Sequence, residues 1–175
     1  FISAYLPCGD EVNNWLGFSV HEIISEMRKQ FNEDGSNFEC TTMYHRLSGE
    51  LMIYSVALIL GLTGEKIKAL QAYQLTEEQA AKVRTFKDGP DYAITENHVQ
   101  LSQHFIDKLF RMGMYTVHMT KPNEEIPQIS DGDSGRVFIL SPNGAFMTNI
   151  EAEKKYFNLM GYNELIKSYA FQDEL

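Results

Sequence analysis

The sequence predicts an α+β fold, helix-rich over its first two thirds and followed by a small antiparallel sheet and C-terminal helices. Three observations predict it. Apolar residues recur at helical spacing from residue 10 to residue 112. The period then shortens to that of strands at 114–120 and 136–140, which are rich in β-branched and aromatic residues. Turn-forming residues cluster between these stretches, at 32–37, 87–91 and 131–135. Helices first and strands late is the pattern of an α+β domain. With 175 residues, 43% of them hydrophobic and 22% charged, the chain is read as one globular domain, 1–175.

Each element follows from local chemistry. Asp10 can N-cap a helix running to about residue 31, with Val12, Leu16, Val20, Ile23, Met27 and Phe31 on one face. Residues 32–37 end it as a loop. A second helix is expected over 41–62, with Met43, Leu47, Leu51, Tyr54, Leu58 and Leu62 inward, and its apolar second half makes it the central core helix. That apolar run is too short to span a bilayer. A short helix follows Gly64 to Tyr73, and Thr76-Glu-Glu-Gln79 is a capping-box pattern that opens another to about residue 84. The turn at 87–91 is the one plausible internal boundary.

Asn97 is expected to cap a helix to Met112, with Gly113 stopping it. Residues 114–120 and 136–140 then form a strand hairpin, and 145–147 a short third strand. A second capping box, Thr148-x-x-Glu151, starts a helix to Met160, and Asn163 opens a last helical stretch.

Charge narrows the partners. The net charge is −9 and no basic run occurs, which argues against nucleic acid or an anionic membrane, since both are bound through clustered Lys and Arg. A protein substrate or protein partner remains. There is no basic n-region at the start, so no signal peptide is visible. The terminal Gln172-Asp-Glu-Leu175 is close to an ER-retrieval signal but is read as an acidic helix end, and a cytoplasmic location is expected. Two cysteines make no disulfide framework.

Cys8 is the first candidate for chemistry. It lies just ahead of the Asp10 cap, and the partial positive charge at a helix N-terminus favours a thiolate. Such a nucleophile needs a base and a group that orients it. His118 on the first late strand can be the base, and the second strand delivers Ser141 and Asn143 to where an orienting group is needed. Cys40 also precedes a helix, but the more buried one, and is read as core.

These same residues carry a resemblance. Cys8-Gly-Asp-Glu-Val-Asn-Asn-Trp15-Leu16, with a Trp seven positions after the Cys, resembles the nucleophile helix of papain-like effector proteases of the YopT/AvrPphB type. Val117-His118-Met119, followed by Arg136-Val-Phe-Ile-Leu-Ser-Pro-Asn-Gly144, is similar to the later part of that family. The resemblance implies a papain-like arrangement and a thiol protease, deamidase or acyl-transfer activity, as in bacterial effectors secreted into a host cell. It makes Cys8 the nucleophile and His118 the base. The family's acid aligns with Ser141, so Asn143, Asp131 or Asp133 would orient the ring. A non-catalytic protein-binding domain on the same scaffold is the alternative.

Other motifs are incomplete. His21-Glu22 starts like a zinc-protease helix but lacks the second His, and Asp131-x-Asp133-x-Gly135 lacks the distal Glu of a calcium loop. No metal or cofactor site is therefore expected. Val117-His118-Met119-Thr120 fits one half of the His-x-Thr pair of two-histidine phosphoesterases, which makes a phosphoesterase using His118 the third reading. His98-Val99-Gln100 is the nearest second half.

Overall fold

The structure, a computed structural model, describes residues 1–82, 90–123 and 126–131. It is helix-rich with one small antiparallel sheet. The elements are α1 (Ile2–Tyr5), α2 (Asp10–Gln30), α3 (Thr42–Leu60), α4 (Glu65–Ala72), α5 (Glu77–Lys82), β1 (Tyr92–Ile94), β2 (Val99–Leu101) and α6 (Gln103–Met119). The chain groups into two compact units. One comprises Phe1–Lys29 and Tyr54–Phe105; the other comprises Gln30–Ile53 and Ile106–Leu175, as far as it is described.

In the first unit, α2 buries Leu16, Val20, Ile24 and Met27, a spacing of four, four and three that keeps one helical face inward. The expected face was nearly this one, with Ile24 in place of Ile23. Gly9 provides the first helical carbonyl, which accepts the Asn13 N–H at 2.8 Å, so Gly9 rather than Asp10 holds the cap position and Asp10 is the first helical residue. Asp10 and Glu11 in the first turn and Arg28 and Lys29 in the last complement the helix dipole. Gly17 is required by packing: a Cβ there would lie 2.2 Å from the Tyr73 ring.

The capping box at α5 forms as expected. Gln79 donates its N–H to Thr76 Oγ1 at 3.2 Å, and Gln79 Oε1 accepts the Thr76 N–H at 2.9 Å.

Among the described residues the strands fall at 92–94 and 99–101, where none was expected. The sheet pairs β1 with β2, Tyr92 opposite Leu101 and Ile94 opposite Val99. The turn between them is closed by the Thr95 N–H on the His98 carbonyl (2.9 Å) and by the Thr95 hydroxyl. Asn97 therefore sits in a hairpin turn and caps nothing. Ser102 caps α6 instead, accepting the Phe105 N–H at 3.1 Å. A buried ion pair joins the two sequence segments of this unit. Arg28 holds both oxygens of Asp91 (Nη2 to Oδ1 2.7 Å), and Asp91 also accepts the Ser102 hydroxyl at 3.1 Å.

In the second unit, Thr41 caps α3 by accepting the Tyr44 N–H at 2.9 Å. The buried face of α3 here is His45, Arg46, Glu50, Met52 and Ile53 rather than Met43, Leu47 and Leu51. With Thr42, four polar side chains of α3 are buried, and an apolar-period reading necessarily rotates such a helix. The loop before it is tight. Asp34 accepts the Ser36 N–H (2.9 Å) and hydroxyl (2.6 Å), Asn32 pairs with Ser36, and Gly35 takes φ +86°.

Helix α6 runs through Gly113 to Met119, so residues 114–119 are helical, not a strand. Leu109, Met112 and Thr116 of this unit continue one buried face across the glycine. That burial outweighs the roughly 1 kcal/mol helix penalty of a single Gly. The expected strands at 136–140 and 145–147, and the helices after them, lie outside the described residues.

Candidate functional site

Cys8 is exposed and its thiol is free, one residue ahead of the Gly9 carbonyl that opens α2. It belongs to the first unit. His118 is exposed in the last turn of α6 and belongs to the second. The strand expected to present it is a helix, and the 141–144 segment lies outside the described residues. Ser141, Asn143 and Asp133 lie outside the described residues, while Asp131 is exposed. The structure thus locates two of the four candidate residues, Cys8 in the α1–α2 connection and His118 on α6.

Two further expectations are corrected. Cys40 is exposed rather than core. It precedes the Thr41 cap in a left-handed conformation, φ +58°, and its thiol points back to the Phe38 carbonyl at 3.5 Å. His98 lies in the β1–β2 turn, and His118 and Thr120 share a helical turn instead of alternating along a strand. The paired His-x-Thr strand geometry of a two-histidine phosphoesterase is therefore not formed by these residues.

His21 lies on α2. Its Nδ1 lies 3.2 Å from the Tyr92 hydroxyl, with the two rings edge to face. Among the described residues no group of His, Cys, Asp and Glu is arranged to hold a metal ion. No single described helix is long and apolar enough to cross a membrane.

His45 is the residue that the sequence placed on a helix without a role. It is 1% exposed, with Nε2 3.1 Å from the Met112 carbonyl and 3.0 Å from Thr116 Oγ1. Phe31 meets its ring edge-on at 5.8 Å, and Tyr115 lies tilted against it at 4.6 Å. Burial pushes its pKa down from 6.5 to about 4; the Met112 carbonyl opposes the shift and the Arg46 charge adds to it. A neutral imidazole whose Nε2–H donates to a helix carbonyl ties α3 to α6. Nearby, the Thr42 hydroxyl donates to the Pro127 carbonyl at 2.7 Å and fixes the described end of the chain on α3.

The largest departure from expectation is apolar. Ile2 (71% exposed), Tyr5 (76%) and Leu6 on and after α1, and Trp15 (47%) and Phe18 on α2, stand in solvent. At 100° per residue, Trp15 and Phe18 project from the side of α2 opposite Leu16, Val20, Ile24 and Met27. That placement was readable in the sequence as two large aromatics off the inward stripe. Helix α1 is held to its own unit by Lys66, whose ammonium donates to the Ser3 and Leu6 carbonyls at 2.7 and 2.6 Å.

In comparisons with known proteins, no family model, no curated protein and no solved structure matches this chain.

Proposed function

We propose that this chain is a protein-binding domain whose contact surface is built on α1 and the outer face of α2. The observation that carries the reading is the exposure of Ile2, Tyr5, Trp15 and Phe18 on elements that are otherwise fixed by capping and packing. Trp15 and Phe18 share the outer face of α2, and large apolar side chains left in water favour contact with a partner. Trp and Tyr in particular dominate the energetics of protein interfaces.

A photo-crosslinking residue at position 18, compared with one at exposed Gln100 on β2, tests this in the cell of origin. Discrete protein adducts are expected from position 18 alone. They should vanish with Trp15→Glu and persist with Cys8→Ala. Equal labelling from both positions, or none from position 18, would refute the reading.

One observation favours a second reading, a papain-like cysteine hydrolase or acyl-transfer domain: the exposed Cys8 thiol immediately ahead of the positive end of a 21-residue helix. Cys8 would be the nucleophile and His118 the base, with Asn143 or Ser141 orienting the ring. Under this reading Cys8→Ala abolishes the biological effect with an unchanged fold, and Trp15→Glu leaves turnover of a small substrate intact.

A further inference from the structure

We infer that the partner seated on the outer face of α2 is a basic-flanked apolar segment of another protein: a stretch with apolar anchors at its centre and Lys or Arg at both ends. The inference rests on the protein-binding reading above and gives the partner its chemistry. Glu11, Trp15, Phe18 and Glu22 follow one another at intervals of four, three and four, so they form a single stripe along the helix. Glu11, Trp15 and Phe18 are exposed and Glu22 is half-buried. The aromatic pair is therefore bracketed by a carboxylate on each side. Asp10, also exposed, adds a third acid at the N-terminal end. Farther along the helix Glu26 and Lys29 bond each other and Arg28 is held by Asp91, so these charges are balanced within the unit.

This arrangement selects among occupants. A second copy of the chain would bring carboxylates against carboxylates in either orientation. Parallel pairing sets Glu11 on Glu11, and antiparallel pairing sets Glu11 on Glu22. An anionic lipid surface meets the same repulsion, which the chain's net charge of −9 reinforces. A segment with cations spaced on either side of an apolar anchor is attracted at both ends while its centre covers Trp15 and Phe18. Charges at the rim of an interface act in this way on selectivity and association rate more than on total affinity.

The probes are three fluorescent helical peptides of about 16 residues, long enough to run past both acids. Each carries the same Leu and Phe anchors, flanked by Lys, by Gln or by Glu, and binding to the full chain is read by anisotropy. The Lys-flanked peptide is expected to bind about tenfold tighter than the Glu-flanked one, because two exposed charge pairs turn from attraction to repulsion. The preference should shrink as salt rises. In a Glu11→Lys/Glu22→Lys variant with an unchanged circular dichroism spectrum it should reverse.

Equal affinity for all three peptides overturns the charge inference and leaves the docking surface standing. Binding of none, together with absent position-18 adducts, overturns both. Concentration-dependent dimers in sedimentation, lost with Trp15→Glu, would make a second copy the occupant. Flotation with phosphatidylserine vesicles would make it a lipid surface. Either result overturns the inference.

Discussion

Lowering the pH should destabilise the second unit through one side chain, His45. In the unfolded chain this imidazole takes a proton near pH 6.5, whereas in the folded protein burial holds it neutral down to about pH 4. Between those values the unfolded state binds the extra proton, so stability is fully present above about pH 6.5 and falls as the pH drops toward 4. Each pH unit of separation is worth about 1.4 kcal/mol, and the whole window about 3 kcal/mol. The assay is urea unfolding from pH 8 to pH 4, followed by circular dichroism, for the natural chain and for His45→Gln. Glutamine can still donate to the Met112 carbonyl but cannot titrate, and every other ionisable group is common to both proteins. The difference between the two stabilities should therefore narrow steadily below pH 6.5. If the two curves run parallel from pH 7 to pH 4, the buried-imidazole argument is wrong.

Other outcomes follow from particular contacts. Gly35→Ala places a Cβ 2.2 Å from the Arg111 carbonyl oxygen at φ +86°, whereas Gly64→Ala at φ +56° meets nothing within 4 Å. The second should cost about 1 kcal/mol for backbone strain, and the first about 1–3 kcal/mol more for the collision, read as the difference in urea midpoints. Arg28→Met leaves the Asp91 carboxylate buried without its cation, and about 3–5 kcal/mol of stability should be lost in thermal unfolding. Arg28→Met/Asp91→Leu should recover part of it. Both thiols are exposed, so iodoacetamide should label Cys8 and Cys40 in the folded protein; mass spectrometry showing either protected until urea is added would contradict the structure.

The helical half of the fold was legible because its signals are local. The start of α2 at Asp10 and the Thr76–Gln79 box each depend on neighbouring residues, and each forms in the structure. What failed depended on tertiary competition. Residues 114–120 hold the β-favouring Tyr115, Thr116 and Val117, yet the buried face running from Leu109 through Met112 to Thr116 carries the helix past Gly113. Residues 92–94 and 99–101 are too short to show a period, and their pairing is fixed by the Thr95 turn and by Ser102 on Asp91. On α3 the inward face was misplaced because His45, Arg46 and Glu50 are buried polar residues, which an apolar pattern cannot register. Of the candidate site, Cys8 was rightly set at a helix start. His118 was assigned to the wrong kind of element, and the aromatic stripe on α2 passed unnoticed because apolar residues were assumed to face inward.

The Arg28–Asp91 pair has a consequence for the order in which this protein is made. The first unit is discontinuous in sequence: its opening segment ends at Lys29 and its last begins at Tyr54 and ends at Phe105. When α2 leaves the ribosome, the carboxylate that will neutralise Arg28 has yet to be translated, as have the Val99 and Phe105 side chains of the core. The end of this unit arrives some 76 residues after Lys29, a wait on the order of 4–15 s at roughly 5–20 residues per second. Throughout that interval the nascent helix presents greasy surface on both of its sides, Leu16 to Met27 on one and Trp15 with Phe18 on the other. Only the first of these is hidden once translation has passed residue 105, so the second stays available to whatever meets the finished chain.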